Sequence, residues 1–390
     1  MSTHPTPPKR NWSLNNRATR GLIFQALALI FIAAGVWFLA HNTQENMRIR
    51  GIQSGFDFLG ASAGFDIGET LITYDPSQSY GKAIWVGVLN TLKVAVAGII
   101  LTTVLGVLLG VGRFSRNALV RGLCYAYVEV FRNVPILLQL LMWYLVFIEV
   151  LPASNEAISL SGLFFLSKGG FSFPFPEAGM TQVMAGACLG IVAGALWRKR
   201  TRQRFEATGH LGDMRWTPLA LIAAFAVAGW VVAGMPMKWS VPEQLAFMVE
   251  GGVSATPEFM AILIGLTIYT AAFVAEVVRG GIQSVSRGQD EAAAALGLNQ
   301  SQKMNLVILP QAMRVIIPPL TNQYLNLTKN SSLAVAVGYP DVVSIANTTI
   351  NQSGRAVECI AIIMLVYLTT SLSTSAFMNW YNQRMAIKER

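Results

Sequence analysis

Charge is what this sequence has least of. Of 390 residues, 13% are Asp, Glu, Lys or Arg and 53% are hydrophobic, whereas soluble domains average about 25% charged. One soluble core does not absorb that much apolar side chain; a series of separate apolar rods crossing lipid does. Histidine and cysteine are scarce as well, three of each. Cys124, Cys188 and Cys359 lie in or beside apolar runs without ligand spacing, and His4, His41 and His210 stand apart from each other and from any cysteine. Neither redox chemistry nor a metal site is expected. No G-x-x-x-x-G-K-[ST] loop is present to cradle ATP phosphates, no His/Glu zinc pair and no G-x-S-x-G elbow. No catalytic residue emerges, so the chain is not read as an enzyme. If it drives anything uphill, the energy comes from a partner or an ion gradient.

What is present is a set of long uncharged runs: Gly21–Ala40, Ile84–Gly110, Leu219–Gly234, Phe259–Val278 and Cys359–Met378. Crossing a hydrocarbon core takes roughly 20 helical residues at about 1.5 Å each. Apolar runs set against charges predict eight spans, near 21–40, 84–111, 122–148, 180–197, 217–234, 258–278, 313–336 and 356–378. The predicted fold class is all-α, a polytopic membrane protein. The third span opens on polar and charged residues, and the seventh contains NQYLNLTKNSS, which reads as broken or re-entrant. Gly21–Ala40 is long for a secretion signal and no small-x-small cleavage site follows it, so it is expected to stay as the first span.

The net charge of +9 follows the spans rather than a nucleic-acid surface. Lys9, Arg10, Arg17 and Arg20, then Arg113, Arg116 and Arg121, then WRKRTRQR at Trp197–Arg204 fall in alternate connections. Acids such as Glu45, Asp57, Asp66 and Glu69, or Glu149, Glu156 and Glu177, collect in those between. Basic connections face the cytoplasm, which places both termini there.

One polar stretch, RGQDEAAAALGLNQSQKMNLVILPQA at Arg287–Ala312, interrupts the apolar runs. Acids open its first helix, strong helix formers fill it, and Gly297 stops it. Asn299 and Gln302 stand at N-cap and N3 spacing for a second helix. Pro310 is expected to end or kink that helix, and Pro318-Pro319 to interrupt the chain again. The result is a helix–glycine–helix knob on the cytoplasmic face.

At these residues the chain resembles the permease subunits of bacterial ABC importers. Glu291-Ala292-Ala293, three residues, Gly297, nine residues, Val307, one residue and Leu309-Pro310 match their cytoplasmic coupling motif, with valine where isoleucine is usual. EVFRNVPILLQL at Glu129–Leu140, AEVVRGGIQSVSRGQDEAAAALGL at Ala275–Leu298, LPQAMRVIIPPLTNQ at Leu309–Gln323 and KNSSL at Lys329–Leu333 are similar to the polar amino-acid (histidine/glutamine/arginine-type) branch. The enlarged layout resembles the Q-type permeases of general L-amino-acid (Aap/Bzt) transporters. The resemblance implies a type I permease core made of two stretches, 80–148 and 256–380, with its coupling loop at 287–310. Around it stand an N-terminal segment, residues 1–79, an insertion 149–255 with two extra spans, and a cytoplasmic tail 381–390. It implies that Gly288, Asp290, Glu291, Ala292, Ala293, Gly297, Leu309 and Pro310 engage an ATPase. It further implies a paralogous permease subunit, two ATP-binding subunits that hold ATP and Mg, and a periplasmic amino-acid-binding protein. No cofactor is expected on this chain, which would sit in the bacterial inner membrane and move L-amino acids.

Charges near the membrane need partners or a job, because one at a helix centre costs roughly 2.5–3.5 kcal/mol. Glu129/Arg132 and Glu276/Arg279 are each i,i+3 pairs, read either as local ion pairs or as braces between spans around a gate. Asn322, Asn326, Lys329, Asn330, Ser331 and Ser332 form a polar interruption fit to line a pathway, with Asn90 and Thr91 as further candidates. An ion-gradient-driven transporter and a non-transporting assembly subunit remain open. The first would favour inverted repeats and a mid-membrane acid, and neither is evident.

Overall fold

The structure, a computed structural model, describes residues 17–49, 51, 54–208, 213, 216–235 and 238–385. His4, Lys9, Arg10, His210 and the 386–390 tail lie outside them, as does the side on which the termini fall. Among the described residues, six helices are long and apolar enough to cross a membrane. They include α1 (Arg17–Ile49), α2 (Tyr80–Gly112), α5 (Met180–Thr208), α7 (Pro257–Gln283) and α12 (Ala356–Met385), and a rod spanning Gln300–Val337. A bent pair makes a seventh, and α6 (Trp216–Val232) is apolar but only 17 residues long. The expected eight spans are corrected accordingly.

The bent pair is α3 (Ala118–Asn133) and α4 (Ile136–Leu145, prolonged by a wide turn to Val150), turned by 104°. Pro135 is the cause. It forces Val134 into an extended conformation (φ −94°, ψ 129°) and ends α3. The carbonyls freed at the break would be orphaned in lipid. Gln139, 2% exposed, donates from Nε2 to Phe131 O (3.0 Å) and Val134 O (2.9 Å).

The prolines of the seventh expected span behave differently. One short helix α9 (Gln300–Gln302) leads through wide turns at Lys303–Ile308 into α10 (Leu309–Asn330), followed by a 3-10 segment Ser331–Val337. Pro310 sits in the first turn of α10, where its missing N–H matters least. Pro318 and Pro319 lie inside α10, and the helix runs past both. Each interior proline costs about 3 kcal/mol in isolation. Buried Ile316, Ile317, Leu320 and Tyr324, packed with Val274 and Val278 of α7 and Met378 of α12, offset that strain. The expected interruptions at Pro310 and Pro318-Pro319 are therefore corrected to one continuous helical rod.

The α2/α7 pair forms the spine of the core, with α3, α4 and α10 against α7, α12 against α10, and the short helix α11 (Val342–Ser353) against α2. The apolar window of α1 is wholly exposed. The segment 149–255 adds a small antiparallel sheet of Ile158–Leu160, Phe164–Ser167, Gly170–Phe173 and Val253–Ala255, a departure from purely helical structure. Its helices α5 and α6 pack on each other as a hairpin. Gly186, Gly190 and Gly229 let the two backbones meet, touching Phe225, Ile222 and Gln182, an approach that any side chain would block.

Gly229→Leu is expected to splay the hairpin and lower the thermal midpoint of the purified protein. An unchanged midpoint would show that backbone approach is not what holds α5 to α6.

Candidate functional site

The polar stretch folds into a closed unit. Helix α8 (Arg287–Ala295) ends at Gly297, whose φ of 75° is a left-handed conformation that glycine adopts without Cβ strain. Gly297 N donates to Ala294 O (2.9 Å) and Leu298 N to Ala293 O (3.2 Å), the paired bonds of a Schellman end. Asn299 then caps the next helix reciprocally, with Gln302 N to Asn299 Oδ1 at 2.9 Å and Asn299 N to Gln302 Oε1 at 3.0 Å. Lys303 Nζ reaches Asp290 Oδ1 (2.7 Å) and Gln311 Nε2 reaches Gln289 Oε1 (3.2 Å), clipping α8 onto the base of the α10 rod. Ala293 faces inward at 2% exposed, while Gly288, Glu291, Ala292 and Gly297 are exposed and Leu296 is 80% exposed. Leu309 and Pro310 sit at the foot of the rod. The knob therefore presents one apolar tip on a rigid base.

At the same end of the bundle three arginines converge on one carboxylate. Glu276 of α7 accepts from Arg279 Nε (3.0 Å) and from Arg113 at the end of α2, with Arg132 of α3 at 3.9 Å. The Arg132 guanidinium also lies over the Phe273 ring, 5.4 Å from its centre. The expected Glu129/Arg132 pair is corrected: Glu129 forms no ion pair among the described residues, and Arg132 turns to α7. Glu276/Arg279 pair as the spacing suggested. The cluster joins three helices, which the i,i+3 spacing alone did not reveal.

Above it, α7 and α10 enclose a polar groove of about 290 Å³, lined by Tyr269, Thr270, Phe273, Gln323, Asn326 and Asn330. Thr270 is thirteen residues from either end of α7 (270 − 257 and 283 − 270), about 20 Å along the helix each way. Of the expected pathway residues, Asn326 and Asn330 face this groove. Asn322 and Lys329 are exposed without lining it. Ser331 and Ser332 donate to the carbonyls of Thr328 (2.7 Å) and Lys329 (2.8 Å), finishing the end of the rod. Tyr269, Thr270 and Gln323 escaped sequence reasoning. The signal existed: Gln323, Asn326 and Asn330 are i, i+3 and i+7, one face of a helix, once the segment is read as unbroken.

Asn90 and Thr91 do not line an open passage. Both are fully enclosed and join α2 to the opposite end of the bundle. Asn90 Nδ2 donates to Glu69 O (2.8 Å) and Pro340 O (2.9 Å), and Val342 N donates to Thr91 Oγ1 (3.1 Å). Glu69 in turn meets Lys93 and accepts from Thr256 Oγ1 (2.7 Å). Asp341, at the N-cap of α11, is enclosed too, accepting from Ser344 N (2.8 Å) and from the Tyr367 hydroxyl (3.4 Å). Burial pushes its carboxyl up to about 7, and those hydrogen bonds draw it back only in part.

Residues 102–387 match the family model described as the inner membrane component of binding-protein-dependent transport systems. The chain belongs to that family. Over 95% of its length it is 46% identical to the general L-amino acid transport system permease protein AapQ of Rhizobium johnstonii, covering 93% of that protein. It is 43% identical over the full length of both chains to the amino-acid ABC transporter permease protein YhdX of Escherichia coli. With BztB of Rhodobacter capsulatus, the permease protein of a glutamate/glutamine/aspartate/asparagine transport system, identity is 38% over the full length of both. The chain is thus a multi-pass inner-membrane permease of the polar amino-acid branch of bacterial ABC importers, and ATP is hydrolysed on a separate subunit.

Replacing Glu276 with Gln would leave three guanidiniums without their counter-charge. Removing one partner of a fully buried pair costs 3–5 kcal/mol, and the partial exposure here reduces that to roughly 1–3 kcal/mol. The permease should show it as a lower thermal midpoint; no shift would refute the cluster's bracing role. At the other end, the Asp341 carboxyl at about 7 holds its proton more tightly than an unfolded aspartate near 3.9. Its contribution to stability is complete below about pH 4 and is lost as pH rises through about 7. Asp341→Asn should flatten the midpoint-versus-pH curve over that window; an unaltered curve would contradict the assignment.

Proposed function

We propose that this permease moves polar L-amino acids across the inner membrane by rocking the α10 rod, with α8 as the handle. The observation that carries the reading is continuity. One rod runs from the capping box at Asn299–Gln302, past both internal prolines, to Gln323, Asn326 and Asn330 at mid-membrane. Force applied at the exposed tip of α8 reaches the groove without crossing a flexible joint. Two partner ATPases, closing on ATP and Mg, would grip Glu291, Ala292 and the tip at Leu296–Gly297 on the cytoplasmic side. The Glu276 cluster would hold α2, α3 and α7 together while the rod moves, as part of the inner gate. A paralogous permease subunit would supply the other half of the pathway, and a periplasmic amino-acid-binding protein would load it. The names of the relatives support amino acids as cargo. An ion-gradient carrier would want an acid in the groove, and none of the six lining residues is acidic.

Subunit-resolved mass spectrometry of the complex purified around this chain should find two copies of an ATPase and one different permease. A solitary chain, active in gradient-driven vesicles, would overturn the reading. Within the complex, Gly297→Pro removes the N–H given to Ala294 and forbids the left-handed turn. Uptake should fall about ten-fold or more, equivalent to about 1.4 kcal/mol of lost coupling, while membrane insertion persists. Retained uptake would sink the handle.

A further inference from the structure

The end of α5 and its connection to α6 are far more basic than their acids can balance. Over residues 197–216, six bases (Arg198, Lys199, Arg200, Arg202, Arg204 and Arg215) less two acids (Glu206 and Asp213) leave a net charge of +4. Among the described residues neither Lys199 nor Arg200 meets an acid, and both are exposed. These charges are not carried on a loose loop. Helix α5 runs unbroken from Met180 to Thr208, so the bases up to Arg204 stand at a fixed depth and a fixed angle.

Depth and angle both point to lipid. The uncharged stretch Met180–Leu196 rises about 25 Å, against a hydrocarbon core of about 30 Å. Trp197, whose Nε1 donates to Asp213 O (3.2 Å), and Trp216, 76% exposed at the start of α6, mark its end, where amphipathic rings anchor. The bases between Arg198 and Arg204 occupy the next stretch of about 10 Å, which takes in a headgroup layer of about 5–8 Å. Around the helix, Gly186, Gly190 and Gly194 face α6. At about 100° per residue Lys199 falls on the opposite side, with Arg198 and Arg200 on the two flanks. Among the described residues neither α5 nor α6 makes extended contact with α2, α7, α10 or α12, so no core helix covers those sides. Helices α5 and α7 both start beside the strands of segment 149–255, so the basic end emerges on the face that carries α8.

We propose that this end of the hairpin binds the headgroups of anionic phospholipids in the leaflet on that face, with Lys199 and Arg200 holding the phosphate. A headgroup of net negative charge gains from both bases, whereas a zwitterionic one brings an ammonium that they repel. Each Lys or Arg near an anionic surface contributes about five-fold in affinity. The contact fastens a hairpin that the core does not grip. A nucleic acid or an acidic protein surface would want the bases raised clear of the membrane, and headgroup depth favours lipid. The proposal goes beyond the importer reading and does not depend on it.

The test uses the full chain, with the subunits that co-purify with it, in nanodiscs of phosphatidylethanolamine and phosphatidylglycerol. One lipid at a time carries a photoactivatable group beside its headgroup, and the labelled peptides are mapped by mass spectrometry. Phosphatidylglycerol should label the peptides spanning residues 197–204 about ten-fold more than phosphatidylethanolamine does. The excess should shrink as sodium chloride rises from about 0.15 M to about 1 M. Lys199→Gln with Arg200→Gln should remove most of it, while Lys199→Arg with Arg200→Lys should keep it. Arg198, Arg202 and Arg204 remain in both variants, so the basic end stays on the same face. Equal labelling by the two lipids, or an excess that survives the double Gln substitution, would overturn the proposal. So would a parent without lipid preference whose Gln variant loses a co-purifying subunit, since the basic end would then be a protein-docking surface.

Discussion

Inside a bilayer a polar group has no water to turn to, so every helix break and every buried polar side chain must be answered from within the chain. That constraint organises the permease. Where Pro135 breaks α3 from α4, Gln139 takes up two of the freed carbonyls. Where the chain turns into α11, Asn90 and Thr91 reach out of α2 to hold Pro340 and Val342. Where arginines crowd one end, Glu276 receives three of them. Among the described residues, few buried polar atoms are left without an answer, Thr267 Oγ1 and Thr270 Oγ1 among them.

The same economy ties the two ends of the molecule together. The polar helix pair is closed by its own caps and by the Lys303–Asp290 contact, which makes it one rigid piece. Its second helix is the foot of the α10 rod, and that rod's polar face forms one wall of the groove. Arg132 links the charged end to the other wall, resting on Phe273 while leaning toward Glu276. The polar helix pair, the Glu276 cluster and the groove are successive regions of one packed body rather than separate modules.

The segment 149–255 packs largely on itself. Its hairpin closes through glycines that admit close backbone contact, and its small sheet hands the chain back to α7 through Val253–Ala255. Association through small residues suits helices in lipid, where apolar area alone supplies no drive to pack. The hairpin thus holds together through its own helix–helix contact.

Composition and periodicity by themselves determined that this is a polytopic membrane protein with a polar helix pair, and the capping chemistry at Gly297, Asn299 and Gln302 was legible residue by residue. Those features depend on neighbours in sequence, through backbone conformation and local hydrogen bonds. The number and continuity of spans were not legible, because Pro135 and Pro318-Pro319 look alike in sequence. The first breaks a helix and the second pair does not, and the difference lies in what Ile316, Ile317, Leu320 and Tyr324 pack against. Nor was the groove. Asn90 and Asn326 are the same side chain in apolar surroundings, yet one is tied to two distant carbonyls and the other faces open space. Likewise Arg132 stands three residues from Glu129 and pairs with Glu276 of another helix. Only tertiary structure decided these, because a polar group in lipid takes whichever partner packing brings within reach, and that partner is set by how helices cross rather than by spacing along one of them.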